Sequence, residues 1–401
     1  MKEPILIAGA GIGGLTLALA LEQRGFRTVV LEQASKLEEV GAGLQISSNG
    51  TRALASIGLL EDLRAIAVEP EGKKIRLWNT GESWSLFDLG PMAVAEFGFP
   101  YLMVHRGDLH TVLMKALIAR APDALRLGHK VVGFEQDGSG VHVTFADGSS
   151  TRGSMLIGAD GVHSTVRRTI FGEGHAEFTG CMAWRGVIDA SRLPDRLMRP
   201  PLGVNWVGPG RHVITYPLRN GTLMNFVGVV ESSSWQSESW TARGTREECS
   251  ADFAGWHPDV HLLIDNVDEH FRWALLSRKP LDQWRIGRVA LLGDACHPML
   301  PFMAQGAVMA IEDAIMLARC LEAFDDVGTA LDTYVASRID RATQCVKAAD
   351  RQRVVFHNDQ LSNAEDAATY VNVQWNEERV HERYDWLFSY DVVNCDFIAK
   401  S

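Results

Sequence analysis

The sequence has no cysteine pair in a C-x-x-C arrangement. Its six cysteines, Cys181, Cys249, Cys296, Cys320, Cys345 and Cys395, are scattered, which argues against a disulfide scaffold or a zinc cluster and makes the cytoplasm the expected compartment. The thirteen histidines show no H-E-x-x-H or comparable spacing, so no metal site is expected. Long apolar runs are missing too. No stretch reaches the about eighteen uninterrupted apolar residues that a bilayer crossing needs. The most apolar segment, Ile5 to Leu21, is broken by glycines and is expected to be a folded strand and helix, not an export signal. There is no excess of basic residues: the net charge of -11 argues against nucleic acid or an anionic membrane as a partner. Repeats and low-complexity tracts are also absent. The 401 residues, 46% hydrophobic and 22% charged, have the make-up of an ordinary globular enzyme with one large domain or two smaller ones.

The chain does have a glycine-rich turn in a telling place. Ile5-Leu6-Ile7-Ala8 is a short apolar run of the kind buried in a parallel sheet, and Gly9-Ala10-Gly11-Ile12-Gly13-Gly14 follows it with G-x-G-x-x-G spacing. In this pattern Gly9 permits the tight turn, Gly11 lets the backbone approach a pyrophosphate, and Gly14 lets the helix pack on the strand. The phosphates would then lie at the positive end of a helix beginning near Ile12. Arg24-Gly25-Phe26 ends that helix, and Thr28 to Leu31 form a second strand that delivers Glu32. A carboxylate there accepts hydrogen bonds from an adenosine ribose and disfavours a 2'-phosphate, so FAD or NAD is expected rather than NADP.

Farther along, Val40 to Ile46, with Gly41 and Gly43, reads as a loop entering a short strand close to a ligand. Asn49 is expected to cap a helix running to Gly58. Lys74 to Leu89 suggests paired strands around Thr80-Gly81, an excursion into a second sheet. Asp108 is a candidate N-cap for a helix to about Ala121, and Arg106 ahead of it is either a surface charge or a phosphate and ribose clamp. Strands are expected at Lys130 to Glu135, Val141 to Phe145 and Ser154 to Ile157. The last of these ends in Gly158-Ala159-Asp160-Gly161, where α/β sheets place ligand contacts; the alternative is a capped turn.

Between Gly180 and Ser277 the pattern turns to strands rich in Trp, Val and Phe. Arg211 to Leu218 and Thr222 to Val230 form a hairpin about Asn220-Gly221. Alternation puts His212, Ile214 and Tyr216 on one face, where the histidine and tyrosine are either a satisfied structural pair or a working one. Val289 to Leu292 is another buried strand, ending in Gly293-Asp294. Gln305-Gly306-Ala307 leads into a helix expected over Ala310 to Leu321, whose N-terminal turn is a ready anion site. Past Arg338 a charged helical layer anchored by Trp375, Tyr384, Trp386 and Phe388 is expected to have no catalytic role.

Gly9 to Gly14 with Glu32, Gly158 to Gly161 with Arg167, and Gly293-Asp294 with His297-Pro298 together resemble the class A flavoprotein aromatic hydroxylases. The likeness is to the branch that contains salicylate hydroxylase, 3-hydroxybenzoate 6-hydroxylase and 6-hydroxynicotinate 3-monooxygenase, and it covers almost the whole chain. It implies an α/β fold: a discontinuous Rossmann-like FAD-binding domain (1-73, 101-179 and 278-345), a mainly antiparallel β-sheet substrate domain (74-100 and 180-277) and C-terminal helices (346-401). It further implies Glu32 at the adenosine ribose, Arg106 at the ribityl or phosphate region, Asp294 at the ribityl chain, Gly306 and Ala307 at the flavin ring, and Asp160 serving both FAD and the nicotinamide donor. Gly9, Gly11, Gly14 and Gly43 complete the cofactor set, and His212 and Tyr216 become the catalytic pair.

The implied reaction hydroxylates a small phenolic or hydroxypyridine carboxylate with NADH or NADPH and O2. Oxygen is carried on the flavin C4a carbon, and carbon dioxide is lost if the attacked carbon bears the carboxylate. A monomer or homodimer is expected. Some relatives have a histidine at the position of Phe302 or of Gln45, and this chain has neither. The alternatives are a flavin oxidase or reductase without oxygen insertion, and a redox sensor that only binds a dinucleotide.

Overall fold

Strands β1 (Ile5–Ala8), β2 (Thr28–Leu31), β11 (Met155–Gly158) and β18 (Val289–Leu291) are buried at every position. Their apolar runs lack alternation because a parallel sheet is covered on both faces. In the computed structural model, which describes residues 3–37, 42–172, 174, 176–232 and 242–399, they join β7 (Leu125–Arg126) and β17 (Arg285–Ile286) in a six-stranded sheet of order β17-β18-β11-β1-β2-β7. Only β17 runs antiparallel. Since β1, β11 and β18 are parallel neighbours, the glycine turns that follow them leave from the same edge of the sheet.

A seven-stranded sheet lies over this layer. It is built from β4 (Gly72–Leu77), β5 (Ser83–Asp88), β12 (Glu177–Asp189), β13 (Leu202–Gly208), β14 (Arg211–Leu218), β15 (Leu223–Glu231) and β16 (Phe271–Ser277), in the order β16-β12-β15-β14-β13-β4-β5. All its pairings are antiparallel except that of β13 with β4. Alternation along β14 sends Tyr216 and Leu218 into the main core, and Val213 into a second core with Trp206 and Phe226. Cys249, Val260 and Leu263, on the helices Arg246–Asp252 and Pro258–Asn266, close that second core with Phe253, which follows the first of them. The hairpin turn takes positive φ at Arg219, Asn220 and Gly221, as Asn-Gly turns do.

Strands β3 (Gly43–Ile46) and β6 (Leu102–His105) make a two-stranded ribbon beside β14, and β8 (Val131–Gln136), β9 (Val141–Phe145) and β10 (Ser150–Gly153) form a separate meander. The helix Gly306–Ala323 and the 30-residue helix Val327–Phe356 pack against the first layer. Trp375, Tyr384 and Phe388 bury themselves in the main core, Tyr384 and Phe388 against Phe87 at ring distances of 5.1 and 6.0 Å. No described helix is long and apolar enough to cross a membrane.

Three helix starts differ from those expected. Ser47, not Asn49, precedes the helix Ser48–Ser56, which leaves the Asn49 side chain to bond the buried Glu312 at 2.7 Å. The helix after β6 begins at Arg106, and Asp108 in its first turn holds Arg219 through two hydrogen bonds of 2.7 and 2.8 Å. The helix expected from Ala310 begins four residues earlier, at Gly306. In addition β10 is a strand between Phe145 and Ser154, where none is expected from the sequence. Val40 and Gly41 lie outside the described residues.

Candidate active site

The first turn leaves β1 at Gly9, whose φ of +102° suits glycine alone. A Cβ on Gly9 would stand 2.5 Å from the Ala159 carbonyl oxygen, and one on Gly14 would stand 2.1 Å from that of Gly9. These two glycines therefore let the strand, the turn and the second segment touch. Gly13, outside the motif's spacing, has a similar duty: its added Cβ would meet Leu292 at 2.6 Å and Ala310 at 3.1 Å. Gly11 is different, because a Cβ there would meet nothing within 4 Å. The protein itself does not require that glycine, which leaves a cradle that a side chain would fill.

Glu32 lies beside this turn. One carboxylate oxygen accepts the Ala10 N–H at 2.9 Å and the other accepts that of Ala34 at 2.8 Å. Each oxygen keeps acceptor capacity for a hydroxyl, while its charge opposes a phosphate. The buried His110 donates from Nε2 to the Ala10 carbonyl at 2.7 Å and so fixes the turn from behind.

Asp160 turns its carboxylate inward. It accepts the Ser164 hydroxyl at 2.5 Å and the N–H groups of Thr165 and Val166 at 2.7 and 3.2 Å, at the start of the helix Thr165–Phe171. Burial raises its pKa, and these bonds oppose that shift. The side chain thus shapes the second segment, and the backbone of Ala159 and Asp160 abuts Gly9.

Asp294 does the opposite and opens to solvent in the cleft. Enclosure by the surrounding protein raises its pKa, and the charges of His297 and Arg106 pull it down. It stands near the start of the helix Gly306–Ala323, 4.0 Å from where a Gly306 Cβ would lie. Its position is set from beneath by Asp313, which accepts the Gly293 N–H at 3.0 Å, His297 Nε2 at 2.5 Å and Arg338 Nε at 2.7 Å. Burial acts to raise the Asp313 pKa, but His297 and Arg338 outweigh it and hold the group at about 2. Next to it, Glu312 is paired with Arg338 and Arg341, both at 2.7 Å.

The face of β14 that carries His212, Ile214 and Tyr216 is turned toward these segments. The His212 ring lies 5.3 Å from that of Phe302, just before the Gly306 helix. Tyr216 lies over Gly43, where an added Cβ would be 2.4 Å from the phenol ring, so Gly43 lets the two layers meet. Burial pushes the Tyr216 hydroxyl well above its ordinary pKa, with Arg185 and Gln45 opposing. Gln45 accepts the Tyr101 hydroxyl at 2.7 Å, and Tyr101 accepts from Lys73 Nζ at 2.8 Å. Burial lowers the Lys73 pKa to about 7. Opposite Tyr216 in the ladder, Asn225 uses its carbonyl to accept the Gly43 N–H at 2.7 Å. Its buried Nδ2 has no partner among the described residues.

Two helix starts offer backbone N–H groups of the kind a flavin nucleotide needs. The helices Ile12–Glu22 and Gly306–Ala323 both begin without a side-chain cap, and they start at the same sheet edge. Their first-turn N–H groups suit a diphosphate at Gly11 and the negative charge of a reduced ring at Gly306 and Ala307. With Glu32 at the first turn and Asp294, under the influence of the Arg106 charge, at the second helix start, the residues present fit FAD. Asp313, His110, Asn225, Tyr101 and Lys73 were not singled out from the sequence. Only Glu312-Asp313 left a trace there, as two acids set in the apolar face made by Ile311, Ala314 and Ile315.

A family model described as FAD binding domain matches residues 2–349. The 3-amino-4-hydroxybenzoate 2-monooxygenase PtnB3 of Streptomyces platensis is 37% identical over 357 residues, 89% of each chain. The 6-hydroxynicotinate 3-monooxygenase of Pseudomonas fluorescens is 36% identical over 401 residues, 98% of this chain and 96% of that one. Among solved structures, Klebsiella pneumoniae HpxO complexed with FAD and uric acid is similar with a TM-score of 0.85 at 29% identity, covering 96% of this chain and 97% of that one.

Proposed function

The chain belongs to the FAD-binding domain family and is a flavoprotein aromatic-ring monooxygenase; on that premise we propose that its substrate is a small phenol or hydroxypyridine bearing a carboxylate, hydroxylated at the expense of O2 and of NADH or NADPH. When bound, FAD supplies two-electron reduction by the nicotinamide and activation of dioxygen. Gly9, Gly11 and Gly14 hold its diphosphate, Glu32 its adenosine ribose, and Arg106 and Asp294 its ribityl stretch. Gly306 and Ala307 present N–H groups to the ring, Gly43 makes room for the Tyr216 phenol, and Asp160 shapes the segment used by both nucleotides.

What the protein adds is proton transfer, orientation and dryness. A neutral phenol is a poor carbon nucleophile, and a positioned base that removes its proton contributes roughly two to four powers of ten in rate. His212 takes that proton and Tyr216 hydrogen-bonds the oxygen. The observation that carries this reading is the pairing of His212 and Tyr216 on one buried face of β14, turned toward the uncapped Gly306 helix. The substrate carboxylate faces Arg185, whose register through Val227 to Ile214 puts it on that same face. The spare Asn225 N–H takes a further ligand oxygen. Phe302 keeps water from the base. Hydroxylation expels carbon dioxide only where the attacked carbon bears the carboxylate. Six free cysteines suit a cytoplasmic protein.

The test is a screen of hydroxybenzoates, aminobenzoates and hydroxypyridine carboxylates with each nicotinamide, products being identified by mass. His212→Ala and Tyr216→Phe are expected to lower turnover and shift its pH profile. Unchanged turnover and profile in both would remove the pair from the mechanism.

A further inference from the structure

His212 is 1% exposed and is sleeved by Phe302 and Phe356, with ring distances of 5.3 and 5.0 Å. The ring has almost no surface open to bulk solvent, so a proton arriving there needs a path out. The ring's Nδ1 lies 2.7 Å from Nε2 of His357, and Nδ1 of His357 lies 3.0 Å from the Glu231 carboxylate. The exposure runs in the same order, since the His357 side chain is 2% exposed and that of Glu231 is 46% exposed. His357 follows the last turn of the helix Val327–Phe356, and its carbonyl accepts the Gly210 N–H at 3.3 Å. The helix end is thus tied to the turn between β13 and β14.

Hydrogen-bond chemistry orders the protons along this line. A carboxylate can only accept, so Glu231 requires a proton on His357 Nδ1, which leaves His357 Nε2 as an acceptor. His212 must then hold its proton on Nδ1, which leaves the lone pair on its Nε2. The Glu231 charge acts across two rings to choose which nitrogen of His212 is basic.

We propose that His212, His357 and Glu231 form a proton relay that carries the substrate's hydroxyl proton from the closed pocket to solvent. The relay rests on the reading of His212 as the base. The phenol's proton binds His212 Nε2, the Nδ1 proton of His212 passes to His357 Nε2, and the Nδ1 proton of His357 passes to Glu231, which releases it to water. Reversal reprotonates the product's oxygen and restores both tautomers. His357 and Glu231 are positioning residues that act through His212.

Burial and the neighbouring His357 keep His212 well below its ordinary pKa, so it rests neutral. Burial also lowers His357, with Glu231 opposing and Arg353 assisting. The other groups that face the line are Arg353, 3.5 Å from Glu231, and Cys181, whose thiol is pushed up by burial and stays protonated.

Nitrogen-15 NMR of histidine-labelled holoenzyme without substrate, with His212→Gln and His357→Gln spectra as assignments, tests the ordering independently of any activity. Both rings are expected as the Nδ1–H tautomer, which is the minor form of a neutral free histidine side chain in water. An Nε2–H signal for His212 would overturn the relay. A second measurement mixes holoenzyme anaerobically with a hydroxybenzoate and an indicator dye. His357→Gln is expected to slow proton release by about tenfold or more while substrate Kd stays within about twofold, and added imidazole is expected to restore the rate in His357→Ala. Release at the wild-type rate in both variants would sink the relay. Failure of the wild-type enzyme to bind any phenol would instead refute the substrate reading, with the tautomer assignment still deciding the relay.

Discussion

The Lys73 ammonium lies 2.8 Å from the Tyr101 hydroxyl, and its pKa is lowered to about 7 by burial. Tyr101 donates onward to Gln45, and Gln45 reaches the Tyr216 hydroxyl. Tyr216 therefore ends a polar chain whose far member, Lys73, is brought down to about 7 by burial.

Lys73 makes stability depend on pH in a definite direction. The unfolded lysine titrates near 10.5 and the folded one near 7, so the native state binds fewer protons between those values and stability rises with pH across that window. Lys73→Met removes the buried ammonium. It is expected to be more stable than the parent at pH 6, by roughly 1–3 kcal/mol, with the gap closing toward pH 10. Urea unfolding at the two pH values measures this, and a gap that widens with pH would refute the assignment.

Gly11 and Gly14 separate ligand binding from folding. Gly14→Ala drives a methyl into the Gly9 carbonyl and is expected to lower stability by roughly 1–3 kcal/mol. Gly11→Ala meets nothing and is expected to stay within about 0.5 kcal/mol of the parent, yet to lose FAD affinity by about tenfold or more. Calorimetry of the apoprotein and flavin titration check the pair. Equal effects on folding and binding in both variants would count against a diphosphate at Gly11.

Sequence made the local part of this site legible. Gly9 to Gly14, Glu32 and the β14 alternation follow from short-range geometry, and each was visible as a spacing. Helix starts were read too late, at Asp108 for Arg106 and at Ala310 for Gly306, because no side-chain cap announces either start. The Gly306 end is open where a cofactor contact was expected, so the missing cap was itself the signal. Asp313 with Arg338, Asn49 with Glu312 and His212 with His357 are pairs made by folding between distant segments, and no periodicity marks them. The C-terminal layer was expected to be inert for the same reason, since His357 looks like one polar residue among many at a helix end.

Asp313 is expected to be the most costly single residue beneath the cofactor cleft. Asp313→Asn leaves Arg338 with only Glu312 to balance it in the core and is expected to cost about 3–5 kcal/mol. Holding Asp313 at about 2 against an unfolded 3.8 gives stabilisation that is present above the unfolded value and lost as pH falls through the folded one. Acid unfolding followed by tryptophan fluorescence is expected to lose that component in the variant, along with part of the bound flavin because Gly293 loses its anchor. An acid limb identical to the parent's would contradict the role.

The most direct test of the whole account is the fate of oxygen. Purified holoenzyme is incubated with NADH or NADPH, a hydroxybenzoate or hydroxypyridine carboxylate, and heavy-isotope dioxygen, and the product's mass is measured against nicotinamide consumed. The account predicts one labelled oxygen atom in the ring product per nicotinamide oxidised, with the yield falling in His212→Ala. Nicotinamide loss that yields only hydrogen peroxide, with no labelled ring product from any of these acids, would contradict it.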